Sequence, residues 1–529
     1  MAKASAPEVI PLSAAQLEEL LVKLAGLVPA ETYRLLESVL RTFQWLVGAM
    51  EAKNTTLGRL RRMIFGKQTE KTSAVLARGA TTDSDGATKT KTKTKGHGRK
   101  AAQDYPGAQS VKVPHPVHRI GELCPKCLKG KLYRLQVPAR LVRIVAQPIF
   151  QATRFELERL RCALCGALFT APPPPEAGLN KYAPSNGIML VLLRYGAGLP
   201  LYRIAKWQTY FGVPLPPSTQ WEQIEAVSEI PELIYEALCD LAAQGQLLHN
   251  DDTYMRVQSL RQEIAASQDQ PQRTGIFTTG IIAKVDGLQI ALFITGQKHA
   301  GENLNALLRR RAAHRQPPLQ MCDALSRNEP KEFHTLLCNC LLHGRRYFID
   351  VIENFPQECR KVIESLREVY RFEAIAKEQK LSDEQRLTFH QVNSQPVMGE
   401  LHQWMKDQFE QKRVEPNSGL GEAIGYMLKH WIPLTRFLWV PGAPLDNNVA
   451  EQGLKKAILH RKNSLSYKTL HGARIGDIHM SLIHTCELNR VNPFEYFMAL
   501  QQHAAEVRKD PTRWFPWCYQ QNITAANTG

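Results

Sequence analysis

No stretch of the chain approaches the ~18 consecutive apolar residues of a membrane span, and its first residues lack the uninterrupted apolar run of a secretory leader. A cytoplasmic, unprocessed protein with no membrane partner is therefore expected. Cysteine is sparse. Eleven in 529 residues make no disulfide scaffold, and four of them fall into two CxxC pairs, which suits metal binding in a reducing compartment. Acidic residues are in deficit, 50 against 67 lysines and arginines, and the formal charge of +17 favours a polyanion through counterion release. Nucleic acid is the first partner class to consider. What is present suffices for packed cores: 43% hydrophobic and 22% charged residues exclude a largely disordered chain, and the length suits about three or four domains.

Residues 1–77 read as helical, with Pro29 separating a leucine-rich helix (Leu17, Leu20, Leu21, Leu24) from a longer one. In the longer one Leu36, Leu40, Phe43, Val47, Met50, Asn54, Leu57 and Ile64 recur at steps of four and three, interrupted at Arg61. That heptad serves either a coiled coil between copies, with Asn54 setting register, or a helix packed on its own domain. Residues 78–109, with TKTKTKTKGHGRK, read as a basic flexible linker. Residues 110–172 combine β-like runs such as RLVRIVAQPIF with CPKC (Cys124, Cys127) and CALC (Cys162, Cys165). Two such knuckles can give four thiolates to one structural Zn2+, provided a β-hairpin brings them together; a redox role would need only one.

PPPPEAG marks a boundary, and residues 173–244 read as helices with helix-turn-helix logic. YRIAKWQTYF forms a first helix, Gly212 ends it, and Ser218-Thr219 cap a second that carries Gln220 and Gln223 toward base edges. Arg203, Lys206 and Gln220 are the candidate DNA contacts here, and an ordinary helical hairpin is the alternative. From residue 245 the period turns to strands: LLHNDDTYMRVQ, then GIFTTGIIAKV and LQIALFIT around an Asp286-Gly287 turn, a helix, and PLQMCDAL. That order suits the first part of an RNase H-like α/β core over 245–330. Residues 331–440 read as a helical insertion, 441–510 as the second part of the core with C-terminal helices, and 511–529 as a tail. The fold class expected is multidomain α+β.

Phosphoryl transfer between DNA strands uses two divalent ions ~4 Å apart, for which hard carboxylate oxygens are suitable ligands and Mg2+ or Mn2+ suitable ions. Asp251 shares strand parity with Leu247, Met255 and Val257, the more apolar face, whereas Asp252 falls with Tyr254 and Arg256. Asp323 follows Leu319 and Met321 in the same way. Inward carboxylates at two strand ends are costly without a cation. Glu451 opens a helix that continues with Lys455, Lys456, Arg461 and Lys462, a basic run that can hold phosphates. Asn448-x-x-Glu451 is equally a capping box, and lone aspartates are commonly turn residues. Cys340 and His343 have metal-like CxxH spacing, with packing of a buried cysteine as the plainer alternative.

RRMIFGKQTEK, HGRK, the paired CxxC, GLPLYRIAKWQTYFGVPLPPST, HNDDT, CLLHGRRYF, DNNVAEQGLKKAILHRKN and CELNRVNPFEYF, in that order, resemble the insertion-sequence 66 transposases over most of the chain. The resemblance implies an RNase H-like catalytic domain of the DDE type, with Asp251, Asp323 and Glu451 as the triad. It also implies DNA partners (the element's terminal inverted repeats and target DNA), a homo-oligomer and accessory proteins of the same element. The implied reaction is hydrolysis of a phosphodiester followed by attack of the freed 3′-hydroxyl on target DNA, with no covalent enzyme intermediate. Asp252, Ala324-Leu325 and Gln452 depart from the family's usual residues but leave the triad intact. The competing classes are a non-enzymatic zinc and helix-turn-helix DNA-binding protein and a nuclease that cuts without joining.

Overall fold

A computed structural model describes residues 14–25, 27–51, 70–72, 75–76, 103, 105, 108–136, 139–144, 148–165, 167–266 and 273–528. The chain divides into two units, Met1–Thr82 with Asn180–Ile204 and Pro216–Gly529, and Asp83–Leu179 with Ala205–Leu215. Among the described residues no helix is long and apolar enough to cross a membrane.

In the second unit, strands β1 (Arg159–Arg161) and β2 (Leu168–Thr170) pair antiparallel, and Cys162 and Cys165 lie in the connection between them. Cys124 N donates to Gly130 O at 2.7 Å and Leu128 N to Cys124 O at 2.8 Å, closing a tight turn beside the Leu123–Lys131 bridge. The RLVRIVAQPIF run contributes no strand among its described residues, and its exposed Leu141 and Ile144 show why: no second layer covers them.

The first unit is built on a mixed sheet ordered β5-β4-β3-β6-β7. Its strands are β3 (Leu247–Tyr254), β4 (Phe277–Val285), β5 (Leu288–Gly296), β6 (Leu319–Cys322) and β7 (Leu336–Asn339). β3 and β5 each run antiparallel to β4, whereas β6 runs parallel to β3 and β7 parallel to β6. Asp286 and Gly287 both take positive φ, 48° and 85°, which is the geometry a two-residue hairpin turn requires. Two elements depart from the sequence reading. A helix, Gln258–Ala266, occupies the β3–β4 connection, and β7 lies inside the stretch read as a mostly helical insertion. The run LLCN is too short for its periodicity to separate a short strand from a helix.

β5 is an edge strand, and its outer backbone groups are met by side chains rather than by another strand. Along the helix Leu470–Leu488 and its C-cap, Asp477 Oδ2, Ser481 Oγ, Thr485 Oγ1 and Asn489 Oδ1 accept from the backbone N–H of Thr295, Phe293, Ala291 and Gln289. Four helical residues rise ~6 Å and two strand residues ~6.7 Å, so the i, i+4 spacing keeps step with alternate strand positions. The edge is thereby closed to pairing with another chain.

The helices Leu341–Val351, Pro356–Glu378, Asp383–Glu410 and Gly419–Lys429 share one apolar core with the sheet: Leu319, Met321 and Cys338 pack in the same cluster as Phe348, Val362, Leu401 and Ile424. Toward the C-terminus the stretch read as a tail contains the helix Tyr519–Thr528, and Trp514, Phe515 and Tyr519 are buried. Near the N-terminus the helices Ala14–Ala25 and Ala30–Glu51 break around Pro29 as expected, and Leu36 and Leu40 are half-buried while Leu35 and Val39 are exposed. Asn54, Leu57, Arg61 and Ile64 of the heptad, and residues 78–100 of the linker, lie outside the described residues.

Candidate metal centre

Sheet register brings the two aspartates together. His249 on β3 pairs with Met321 on β6 in parallel, so two residues further along each chain Asp251 faces Asp323, just past the end of β6. Asp251 also pairs with Gly280 on β4, where a Cβ would lie 3.0 Å from Leu454. The missing side chain lets the helix Asn448–Ser464 lie close on the sheet, with Glu451 one turn before Leu454. The start of that helix is pinned by Asn447, which is fully buried: its Nδ2 donates to Asn250 O at 3.1 Å, its Oδ1 lies 3.0 Å from His249 Nδ1, and its N–H reaches Cys340 Sγ at 3.4 Å. Burial pushes the pKa of His249 down to about 4, so the neutral ring donates to Asn447 Oδ1. No capping box forms at Asn448, so Glu451 is not engaged as a helix cap. Asn447 is the residue sequence reasoning passed over; its signal was the DNN preceding a helix.

Burial first, then the charges of Asp323, Asp252 and Glu451, push the Asp251 carboxyl up to about 7 against the opposing Asp252 N–H, which donates to Asp251 Oδ1 at 2.8 Å. Three carboxylates so arranged repel one another. Asp323 Oδ1 and Glu451 Oε1 are buried and accept no hydrogen bond. His343 Nδ1 lies 3.0 Å from Asp323 Oδ1 but is not aligned to donate to it, and its Nε2 is 4.0 Å from Glu451 Oε1. Arg346 Nη1 lies 3.1 Å from His343 Nε2 and its Nη2 3.8 Å from Glu451 Oε2. Buried carboxylate oxygens that accept no hydrogen bond suit a hard divalent cation. Cys340, His343 and Glu451 offer ligand atoms all within 4.8 Å of one another, so the CxxH pair shares Glu451 with the carboxylates, whereas Asp251, Asp323 and Glu451 do not form such a group among the described residues.

Asp252 points elsewhere, as strand alternation predicts. Its side chain is only 3% exposed, accepts from Ala300 N at 3.4 Å at the start of the helix Ala300–Leu308, and lies 2.9 Å from His299 Nδ1 and 3.9 Å from Arg327.

The other candidate residues divide by exposure. Lys455 and Lys462 are exposed, whereas Lys456 is paired with Glu487 at 2.8 Å and Arg461 donates to Thr253 Oγ1 and Tyr254 O, tying the helix to the end of β3. Arg203 and Lys206 are exposed on the helix Leu201–Tyr210. Gly212 follows that helix with φ +70° as expected, but the next helix, Pro217–Ala226, is capped at Pro216, and Ser218 and Thr219 fall inside its first turn. Gln220 is fully buried there rather than presented to a partner, and Gln223 is half-buried. In the second unit, backbone N–H groups of Gly130 and Lys129, then the Cys124 side chain, hold the Cys127 thiol below its ordinary pKa. Among the described residues the thiols of Cys124, Cys127, Cys162 and Cys165 are not gathered within the distance that groups Cys340, His343 and Glu451.

The sequence matches the Transposase IS66 family over residues 182–475, which spans the sheet, the triad and the intervening helices. It is 25% identical to the uncharacterized protein y4jD of Sinorhizobium fredii over 70% of this chain and 72% of that one. It is 24% identical to the uncharacterized protein y4hP of the same organism over 84% of each. A third uncharacterized protein of that organism, y4qI, is 29% identical over 30% of this chain and 29% of its own. No solved structure matches the chain.

Proposed function

The chain belongs to the Transposase IS66 family, and on that ground we propose that it is a DNA transposase of the DDE type, cutting element ends and joining them to target DNA at Asp251, Asp323 and Glu451. The observation that carries this reading is the facing of Asp251 and Asp323 across β3 and β6, with the charges of Asp323 and Glu451 both felt at Asp251 and buried oxygens on Asp323 and Glu451 that accept no hydrogen bond. The sheet order, three antiparallel strands followed by two parallel ones on the far side of β3, suits an RNase H-like core. Bound there, Mg2+ or Mn2+ would polarise the attacking and leaving oxygens of an in-line displacement. The protein's part is positional: β3 and β6 hold Asp251 and Asp323 in register, and Asn447 and Gly280 fix the helix that carries Glu451 against the sheet. Incubated with labelled element ends, Mg2+ and any accessory proteins, the protein should yield both nicked and joined strands. Nicking without joining would support a nuclease. Binding without either product would support a non-enzymatic DNA-binding protein.

DNA affinity is assigned to exposed cations. Lys455→Ala and Lys462→Ala should each weaken duplex binding and lower the slope of log affinity against log salt by about one. Lys456→Ala should change that slope little, because its ammonium is committed to Glu487. Fluorescence anisotropy over a salt series separates the two cases, and equal slopes for all three variants would sink the assignment.

Structural zinc is proposed for the cysteine unit, supported by two formed CxxC turns and by the lowered Cys127 thiol, since a thiolate is the ligand form. Purified protein should contain about one zinc per chain, from four cysteines at one tetrahedral site. Cys124→Ser should release it and make residues 110–172 protease-sensitive. Zinc-free protein with that region still resistant would overturn the proposal.

A further inference from the structure

Ahead of the sheet in sequence, the segment carrying Glu70 is moored beside the carboxylate centre. Arg345 Nη2 donates to Glu70 O at 2.9 Å and to Thr72 Oγ1 at 3.3 Å, and Val75 is wholly buried in the core that also holds Phe348. Glu70 is thereby set against the neighbouring Arg346, whose Nε lies 3.3 Å from its carboxylate oxygens. The same guanidinium meets His343 Nε2 at 3.1 Å, yet stays 3.8 Å from Glu451 Oε2, beyond hydrogen-bond reach. Arg346 is therefore shared between a ring nitrogen and Glu70, with Glu451 left as its long-range partner.

We propose that Glu70 is a positioning residue of the carboxylate centre, holding Arg346 back from Glu451 so that Glu451 stays open to a divalent cation. The proposal rests on the reading that Asp251, Asp323 and Glu451 bind metal. Its physical basis is competition: a guanidinium free of Glu70 can close a two-pronged pair with the Glu451 carboxylate, and a metal ion must then displace it. Both Arg346 and Glu70 are about a third to a half exposed, 35% and 45%, so solvent screening keeps the effect modest. A segment 276 residues away in sequence from Arg346 thus adjusts the cation affinity of the centre.

The test is Mn2+ binding by the full chain, followed through the electron paramagnetic resonance signal of free Mn2+, with no DNA present. Glu70→Gln should weaken binding by about two- to fivefold, the range of a partly exposed ion pair. Arg346→Gln should tighten it by a similar factor. The double variant should match Arg346→Gln, because Glu70 acts through Arg346 alone; that recovered affinity also shows that Glu70→Gln leaves the centre folded. Unchanged binding in Glu70→Gln, or a double variant as weak as Glu70→Gln, overturns the proposal. Asp251→Asn separates the two readings. If it does not reduce Mn2+ binding, the metal centre itself is wrong; if it does while Glu70→Gln has no effect, only the role of Glu70 fails.

Discussion

Asp251→Asn, Asp323→Asn and Glu451→Gln should each lower strand cleavage and transfer by about 10³-fold or more, and any pair of them should be little worse than one. Non-additivity follows from the proposed centre: if each side chain supplies oxygen to the same ions, a centre that loses one ligand loses the geometry needed for in-line attack. Binding of element ends should survive every change, and strengthen slightly, since each substitution removes negative charge beside a polyanion. Asp252→Asn is the informative neighbour. Its carboxylate faces Ala300 N, His299 and Arg327 rather than the triad, so the loss of charge should cost about 1–2 kcal/mol of stability and leave substantial activity. Strand transfer on labelled ends, with a gel shift for each variant, decides the matter. An active Glu451→Gln would return that residue to an ordinary helix position, and an inactive Asp252→Asn beside an active Asp251→Asn would show the wrong carboxylate had been assigned.

The two aspartates were legible in the sequence because strand alternation is a strict rule: Asp251 breaks an apolar face, Asp252 does not, and the observed register carries that parity across to Asp323. Glu451 was legible only with a capping box as its rival, since a helix start reads alike whether its glutamate turns back to the chain or outward. The buried Asn447, bonded to Asn250 and near His249, is what separates them, and those contacts span about 200 residues. Local signals misplaced Gln220 for a similar reason. Ser218-Thr219 looks like a cap, but proline needs no N–H partner in a first turn, so Pro216-Pro217 start the helix earlier and Gln220 turns inward. The Glu70–Arg346 pair left no periodic trace at all. The polar ladder on the helix Leu470–Leu488 did leave one: Asp477, Ser481, Thr485 and Asn489 recur every four residues among Ile478, Met480, Leu482, Ile483 and Cys486, a pattern that suits a strand edge.

The largest loss of stability from a single change in that ladder should come from Asp477→Leu, about 3 kcal/mol, because it strands the Thr295 N–H in a dry interior and leaves the Thr295 hydroxyl only Thr278 Oγ1 as a partner. Asp477→Asn should behave quite differently, and with pH. Burial raises the Asp477 carboxyl to about 7 from 3.8, against the opposing side-chain and backbone hydrogen bonds from Thr295 and the charge of Arg474. A folded-state value above the unfolded one means the native protein holds the proton more tightly, so this stabilisation is complete below the unfolded value and is lost as pH rises through about 7. Thr295 donates from N to Asp477 Oδ2 and from Oγ1 to Asp477 Oδ1, 2.7 Å away; once Asp477 is protonated at Oδ1 that second bond can reverse, with Thr295 Oγ1 turning to Thr278 Oγ1 at 2.8 Å. An asparagine amide reproduces that pattern without ever charging. Urea midpoints of the full chain, followed by far-ultraviolet circular dichroism over a pH series, should therefore place Asp477→Asn within about 1 kcal/mol of the parent on the acid side and above it on the alkaline side. The parent should lose ground to the asparagine variant as pH rises from 3.8 to about 7, and the gap should stay level above that. A parent that instead gains on the variant as pH rises through about 7 would show that the ladder needs the carboxylate charged, and an Asp477→Leu protein as stable as Asp477→Asn would show that the edge of β5 does not depend on it.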